Sequence, residues 1–434
     1  MNPLTFTWYP SKPLRHRRLS WGNILSWGGL FGAALILLVC NLDSTPLLPQ
    51  ELILAQVAQE MTQMPFWSGD WLFPTLQGQA YHQQPFLGLL FLAIATHWGG
   101  VDGWMIRLPG AMFAAVSVPL LYGLAREIFA SWLGALFSAL IYLTLFPVIY
   151  WGRLALFDGF ILFWVILTVF CGLRSRRDFR WSLGLGLSLT GLLLTQGLIG
   201  LLLGVVLLIF LAWDTPRLLS CGYFVLGIIL GVLPALTWYW MQWLVYGQPA
   251  IQALLWPETA LDRGNVFPLL GFYPLVVLTS AWPWLIFAWT GGQWAWQSLT
   301  WGWAKLILVW GGGYLGMICL LPLAQMTYLL PFYPPLALAG GMVLREASQW
   351  PDDRPYPQWW SLILYSLSGG FSLLGLSIWL NFPLDFTLLP YGLSLLLTLG
   401  AIALTFWVTA FLINRRNPQF IAILLWGMYV SSLF

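Results

Sequence analysis

Apolar stretches dominate the chain, near residues 23–40, 108–125, 132–150, 158–173, 181–195, 197–213, 221–241, 268–289, 304–323, 328–344, 359–380, 388–412 and 418–433. A helix crossing a bilayer needs roughly 20 apolar residues, about 17 to 25 with tilt. The pattern therefore predicts thirteen spans. Two stretches resist a simple count. FLGLLFLAIATHW (86–98) has only 13 residues and suits an interfacial or re-entrant helix. The stretch from Trp181 to Trp213 is too long for one span and divides at Thr195-Gln196-Gly197. Behind the first span, PQELILAQVAQEM (49–61) reads as a short helix that Pro65 closes. Its Leu52, Ala55, Val57 and Met61 fall near one side and Gln50, Gln56, Gln59 and Glu60 offer a polar one. Such a helix can lie along the membrane with its apolar face in lipid, or simply cover the bundle.

Composition agrees. Of 434 residues, 59% are hydrophobic and 8% charged, with 30 Trp, too few charges to coat a soluble domain. The expected class is all-α, a polytopic transmembrane bundle with Trp and Tyr at the interfaces. The four cysteines (Cys40, Cys171, Cys221, Cys319) lie in or beside apolar runs and read as small hydrophobes. His16 and His97 lack a second ligand at helical spacing, and no Walker motif or basic nucleic-acid patch occurs.

Charge orients the bundle. With residues 1–22 as a basic cytoplasmic N-terminus ahead of a retained first span, only Arg107, Arg153 and Arg263 of 18 basic residues fall outside, as the positive-inside rule asks. The external side receives Asp43, Glu51, Glu60, Asp70, Asp102, Asp158, Glu258, Asp262 and Asp385 of fifteen acids, concentrated in the loop 41–107.

Several runs in this frame carry a family resemblance: PQELILAQVAQEM, then SGDWLFP, YHQQP and IRLPGA, followed by Arg153 and Asp158, TQG (195–197), AWPW (281–284) and YLLPFYPP (328–335). In order and spacing they resemble the GT-C membrane glycosyltransferases of family 39, the protein O-mannosyltransferase and lipid A aminoarabinose transferase type. The resemblance covers about residues 20 to 345. It implies a GT-C-like core over 23–345 that includes loop 41–107; C-terminal helices are expected over 346–434, without the external soluble domain that many relatives add after the last span. It also implies inverting transfer of a sugar from a polyprenyl-phosphate donor to a lipid, glycan or protein acceptor at the outer face of the plasma (inner) membrane. Membrane lipids are the expected surroundings, and no nucleic-acid partner is expected.

The matched positions also depart from the family. Its first loop acid, taken as the catalytic base, is Gln50 here, and an amide cannot accept that proton. The lysine of its Y-x-x-K-P run is Gln84 and that of T-K-G is Gln196; a frequent basic position before Tyr328 is Ala324. The substitute bases are Glu51, one step along the helix, and the more distant Asp43. Asp158 would orient the acceptor or, with Glu51, hold a divalent ion; no other cofactor is implied. Arg107, Arg153 and Arg263 are the candidate cations for the lipid phosphate. Asp70, Tyr81, His82, Gln84, Gln196 and Tyr328 complete the candidate substrate contacts. An active enzyme should bring Glu51 and Asp158 into one cavity with Arg107 or Arg153 nearby.

Each residue also has a plainer reading. Asp158 could cap its helix, Asp70 could be a turn residue, Arg107 could anchor a span at the headgroups, and Tyr328 could shape a broken helix. At the level of the whole chain, the rivals are a catalytically inert GT-C relative that binds lipid or a partner, and a secondary transporter. No inverted repeat or mid-bilayer ionisable cluster favours the transporter.

Overall fold

The computed structural model describes residues 21–65, 69–129, 131–255, 267–321, 325–351, 355–381 and 389–433. An arm follows α1 (Trp21–Val39): α2 (Pro49–Gln63), a 3-10 turn (Asp70–Leu72), the hairpin β1 (Thr75–Leu76) and β2 (Gln79–Ala80), and α3 (Phe86–Gly99). The bundle continues through α4 (Gly103–Ile128), α5 (Trp132–Leu143), α6 (Phe146–Gly152), α7 (Asp158–Ser175), α8 (Trp181–Leu193), α9 (Gly197–Asp214), α10 (Pro216–Leu219), α11 (Gly222–Tyr246) and α12 (Gln248–Leu255). Next come α13 (Phe267–Ser280), α14 (Trp284–Gln297), α15 (Gly302–Ile307), a π-helical turn (Leu308–Gly313) and α16 (Tyr314–Cys319). A 3-10 segment (Met326–Phe332) leads into α17 (Tyr333–Ser348), α18 (Gln358–Asn381), α19 (Leu389–Asn414) and α20 (Phe420–Ser431).

Among the described residues, eight helices are long and apolar enough to cross a membrane, or ten if each of two bent pairs is one span. The shorter apolar α1, α8 and α20 occupy the remaining expected positions. The division of 181–213 falls where expected, with Gln196 as N-cap of α9. The expected span 268–289 is not straight. α13 and α14 meet at 119°, because residues 281–283 leave the helical path between them.

α3 is a 14-residue helix that packs on α2 and α4, and its start is tied to the α8–α9 break by Leu87 N donating to Leu194 O at 3.1 Å. Packing of α2 on α3 decides between the two readings of α2 in favour of a helix that covers protein. The buried face is Leu54, Ala55, Val57, Ala58 and Met61, packed with Leu89 and Leu92 of α3, whereas Leu52 is 53% exposed. Apolar periodicity cannot tell a protein neighbour from lipid, since both accept the same face.

Two close backbone approaches aim the start of α7. Gly159 lies against the carbonyl of Gly110 on α4, leaving no room for a side chain. Before it, Phe157 takes a left-handed conformation (φ 68°), costly for a bulky residue. Its ring fills the space over Gly88 of α3, where an added Cβ would lie 2.6 Å from Phe157 Cδ1.

Candidate functional site

Glu51 and Arg107 form a buried clamp. Glu51 Oε1 accepts from Arg107 Nε (2.9 Å) and Ala155 N (2.9 Å). Oε2 accepts from Arg107 Nη2 (2.7 Å) and from Leu48 N (2.8 Å), the last closing the first turn of α2. Arg107 spends its remaining donors on Leu42 O, Thr45 O, Thr45 Oγ1 and Pro46 O. Burial alone would raise the Glu51 pKa; the Arg107 hydrogen bonds, with those from Ala155 and Leu48, hold it below the ordinary carboxylate value.

These contacts change the roles expected from sequence. Glu51 has four donors on two oxygens and no exposed surface, so it has no lone pair in place for a metal ion or an incoming proton. Among the described residues no three His, Cys, Asp or Glu side chains gather as a metal site, and the proposed Glu51–Asp158 ion site does not fit this donor set. Arg107 is an anchor of the arm rather than a free cation. Arg153 is engaged too: it donates to Leu37 O, Cys40 O and Asn41 O at 2.9–3.1 Å. The Leu37 carbonyl belongs to the last turn of α1, where the helix leaves its final acceptors unmatched, and Cys40 and Asn41 form the turn that follows. Asp43 lies beside Gly103 at the start of α4 and acts electrostatically on Arg107. Arg263 and Ala324 lie outside the described residues.

Asp158 is different. It is the first residue of α7 and fully buried, yet neither carboxylate oxygen finds a partner at hydrogen-bond geometry, so it does not cap the helix. The Thr327 side chain is the polar group that bears on it. Thr327 is the second residue of the 3-10 segment, directly before Tyr328. Tyr328 Oη accepts from Gln196 Nε2 at 3.3 Å, leaving the phenol hydrogen free to donate. The expected residues Asp158, Gln196 and Tyr328 thus meet through one segment, joined by Thr327, which sequence reading passed over.

The remaining candidates sit on the arm. Asp70 is exposed and its carbonyl closes the turn with Phe73 N at 2.9 Å. Tyr81 is buried among α2 and α3, and burial pushes its pKa up to about 12. His82 packs edge-on against Tyr246 of α11, centroids 4.5 Å apart, and burial lowers its pKa. Gln84 Oε1 is buried without a partner and lies one turn before Gly88, on which Phe157 rests. Trp238 Nε1 and Gln242 Nε2 of α11, unremarked in the sequence, both donate to Leu72 O (3.0 and 3.2 Å) and fasten the arm to the bundle.

The site is therefore a buried, acceptor-rich start of α7, roofed by an arm that two salt-bridged residues lock in place. The family described as dolichyl-phosphate-mannose-protein mannosyltransferase matches residues 83–240. A crystal structure of ArnT from Cupriavidus metallidurans bound to undecaprenyl phosphate superposes with a TM-score of 0.70 at 20% identity, covering 94% of this chain and 76% of that one. The fold is that of the GT-C membrane glycosyltransferases.

Among GT-C relatives, an undecaprenyl phosphate-alpha-4-amino-4-deoxy-L-arabinose arabinosyl transferase of Pseudomonas fluorescens is 27% identical over 68% of this chain and 55% of its own length. That of Pseudomonas paraeruginosa is 29% identical over 51% of this chain and 40% of its own. The chain thus spans about half the length of these relatives. The resemblance read from the loop motifs is borne out, as is an integral membrane GT-C bundle.

Proposed function

We propose that this GT-C chain is a glycosyltransferase that moves a sugar from a polyprenyl-phosphate donor to an acceptor at the non-cytoplasmic face of the plasma (inner) membrane. Asp158 is the reacting carboxylate. The observation that carries this is its pair of buried, unpartnered oxygens: burying an unsatisfied polar group costs about 1–3 kcal/mol, and such groups in a native fold ask for a role. A donor-rich ligand, a sugar hydroxyl or an acceptor O–H or N–H, supplies the missing hydrogen bonds.

In the reaction the acceptor oxygen or nitrogen attacks the anomeric carbon, its proton passes to Asp158, and the sugar–phosphate bond breaks to release polyprenyl phosphate. General-base assistance of this kind contributes about 10²–10⁴-fold. The Tyr328 hydroxyl, oriented by Gln196, donates to the departing phosphate. Glu51, Arg107 and Arg153 act earlier in the chain of causes: they hold the arm that covers the site.

Gln50, Gln84 and Gln196, standing where family members carry charge, support a second reading, a lipid-phosphate binder without turnover. One assay separates the two. Purified protein in lipid nanodiscs is given a panel of polyprenyl-phosphate sugars, and release of polyprenyl phosphate is measured alongside its binding. Release with at least one donor is expected. Tight binding with no release from any donor supports the inert reading.

A further inference from the structure

The 3-10 segment Met326–Phe332 is seven residues long, beyond the three or four at which such helices ordinarily stop. It also contains Pro331. In the 3-10 pattern the carbonyl of residue i accepts from the N–H of residue i+3. The Tyr328 carbonyl would therefore ask residue 331 for a hydrogen bond, and proline has none to give. Tyr328 is fully buried, and a buried carbonyl without a donor is rare and costly.

The donor arrives from another helix. Tyr314 Oη donates to Tyr328 O at 2.8 Å, both groups buried. Tyr314 is the first residue of α16, directly after the π-helical turn Leu308–Gly313. A π turn inserts a residue into the helical register, and this one precedes the tyrosine whose hydroxyl reaches the segment.

We infer that Tyr314 is a positioning residue that replaces the N–H missing at Pro331 and thereby fixes the segment presenting Thr327 to Asp158 and Tyr328 to Gln196. The catalytic part of this inference rests on the transferase reading above; the structural part does not. Tyr314 itself touches no substrate in this scheme. Its hydroxyl sets the height and angle of the segment, so its loss affects the reacting geometry more than ligand affinity.

The test uses the full chain in nanodiscs with three forms: wild type, Tyr314→Phe, and Tyr314→Phe combined with Pro331→Ala, which restores an N–H where the pattern needs one. Turnover and hydrogen–deuterium exchange of peptides covering 326–333 are measured on each. Tyr314→Phe is expected to lower kcat about tenfold with KM within about twofold, the size of one buried hydrogen bond. It is also expected to speed exchange in that segment about tenfold, and the double variant is expected to recover most of both. Equal exchange in all three forms overturns the inference whatever the activity. Faster exchange with undiminished kcat overturns the positioning role, as does a double variant no better than Tyr314→Phe. A wild type silent toward every donor sinks the transferase reading alone and leaves the exchange comparison to decide the role of Tyr314.

Discussion

Glu51→Gln keeps the shape of the side chain and removes its charge, which makes it the sharpest probe of the arm clamp. Each carboxylate oxygen accepts from two donors: Arg107 Nε and Ala155 N on one, Arg107 Nη2 and Leu48 N on the other. Whichever oxygen becomes the amide NH2, it confronts two N–H donors and accepts from neither. Arg107 stays buried without its ion-pair partner, although Leu42, Thr45 and Pro46 still accept from it and Asp43 still acts on it electrostatically. Removing one partner of a buried ion pair costs about 3–5 kcal/mol. The retained carbonyl contacts favour the lower end, near ~3 kcal/mol, or about two orders of magnitude in a local opening equilibrium. Amide exchange over residues 49–63 is the direct assay, with thermal unfolding in parallel. Glu51→Gln should lose about 10²-fold protection in α2, and adding Arg107→Met, which removes the stranded charge, should recover part of it. Unchanged protection of α2 with abolished turnover would refute the clamp and return Glu51 to the role of catalytic base.

The same carboxylate predicts an acid response: its folded pKa lies below the ordinary 4.5, so unfolding takes up protons. The clamp's contribution is complete above about pH 5 and fades as pH falls through the lowered value; protection of α2 should follow that course, and Glu51→Gln should lack it. Gly88→Ala should lower the melting temperature because its Cβ meets the buried Phe157 ring at 2.6–2.9 Å, an overpacking cost of about 1–3 kcal/mol. Gly292→Ala in α14, with nothing within 4 Å of its Cβ, should be neutral or stabilising. Arg153→Gln should destabilise the protein by about 1–3 kcal/mol through the carbonyls at the end of α1 and in the turn that follows, seen as a lower melting temperature with donor KM little changed; a raised KM at constant stability would mean that Arg153 binds phosphate after all.

Much of the fold could be read from the chain because membrane helices announce themselves by length and composition. The short run at 86–98 and the break at 195–197 were legible for that reason, and the structure sets them against each other through Leu87 and Leu194. The bend between α13 and α14 was not, since a proline inside an apolar run marks a break without giving its angle. Of the candidate site, Asp158, Gln196 and Tyr328 were named from motif resemblance, but the segment that brings them together was not. Thr327 sits beside Tyr328 in a largely apolar stretch and carries no sequence signal of its own. The roles of Glu51 and Arg107 were misjudged because the two lie 56 positions apart. Charge counting assigned both to one expected side of the membrane but could not show that they neutralise each other. Arg153 was similar: its partners are backbone carbonyls, which no residue pattern displays.

The most direct test of Asp158 as the reacting carboxylate is single-turnover release of polyprenyl phosphate by Asp158→Asn beside wild type, at matched folding and donor binding. A rate reduced by about 10²–10⁴-fold with donor affinity retained is the expected result. Wild-type release by Asp158→Asn would contradict it.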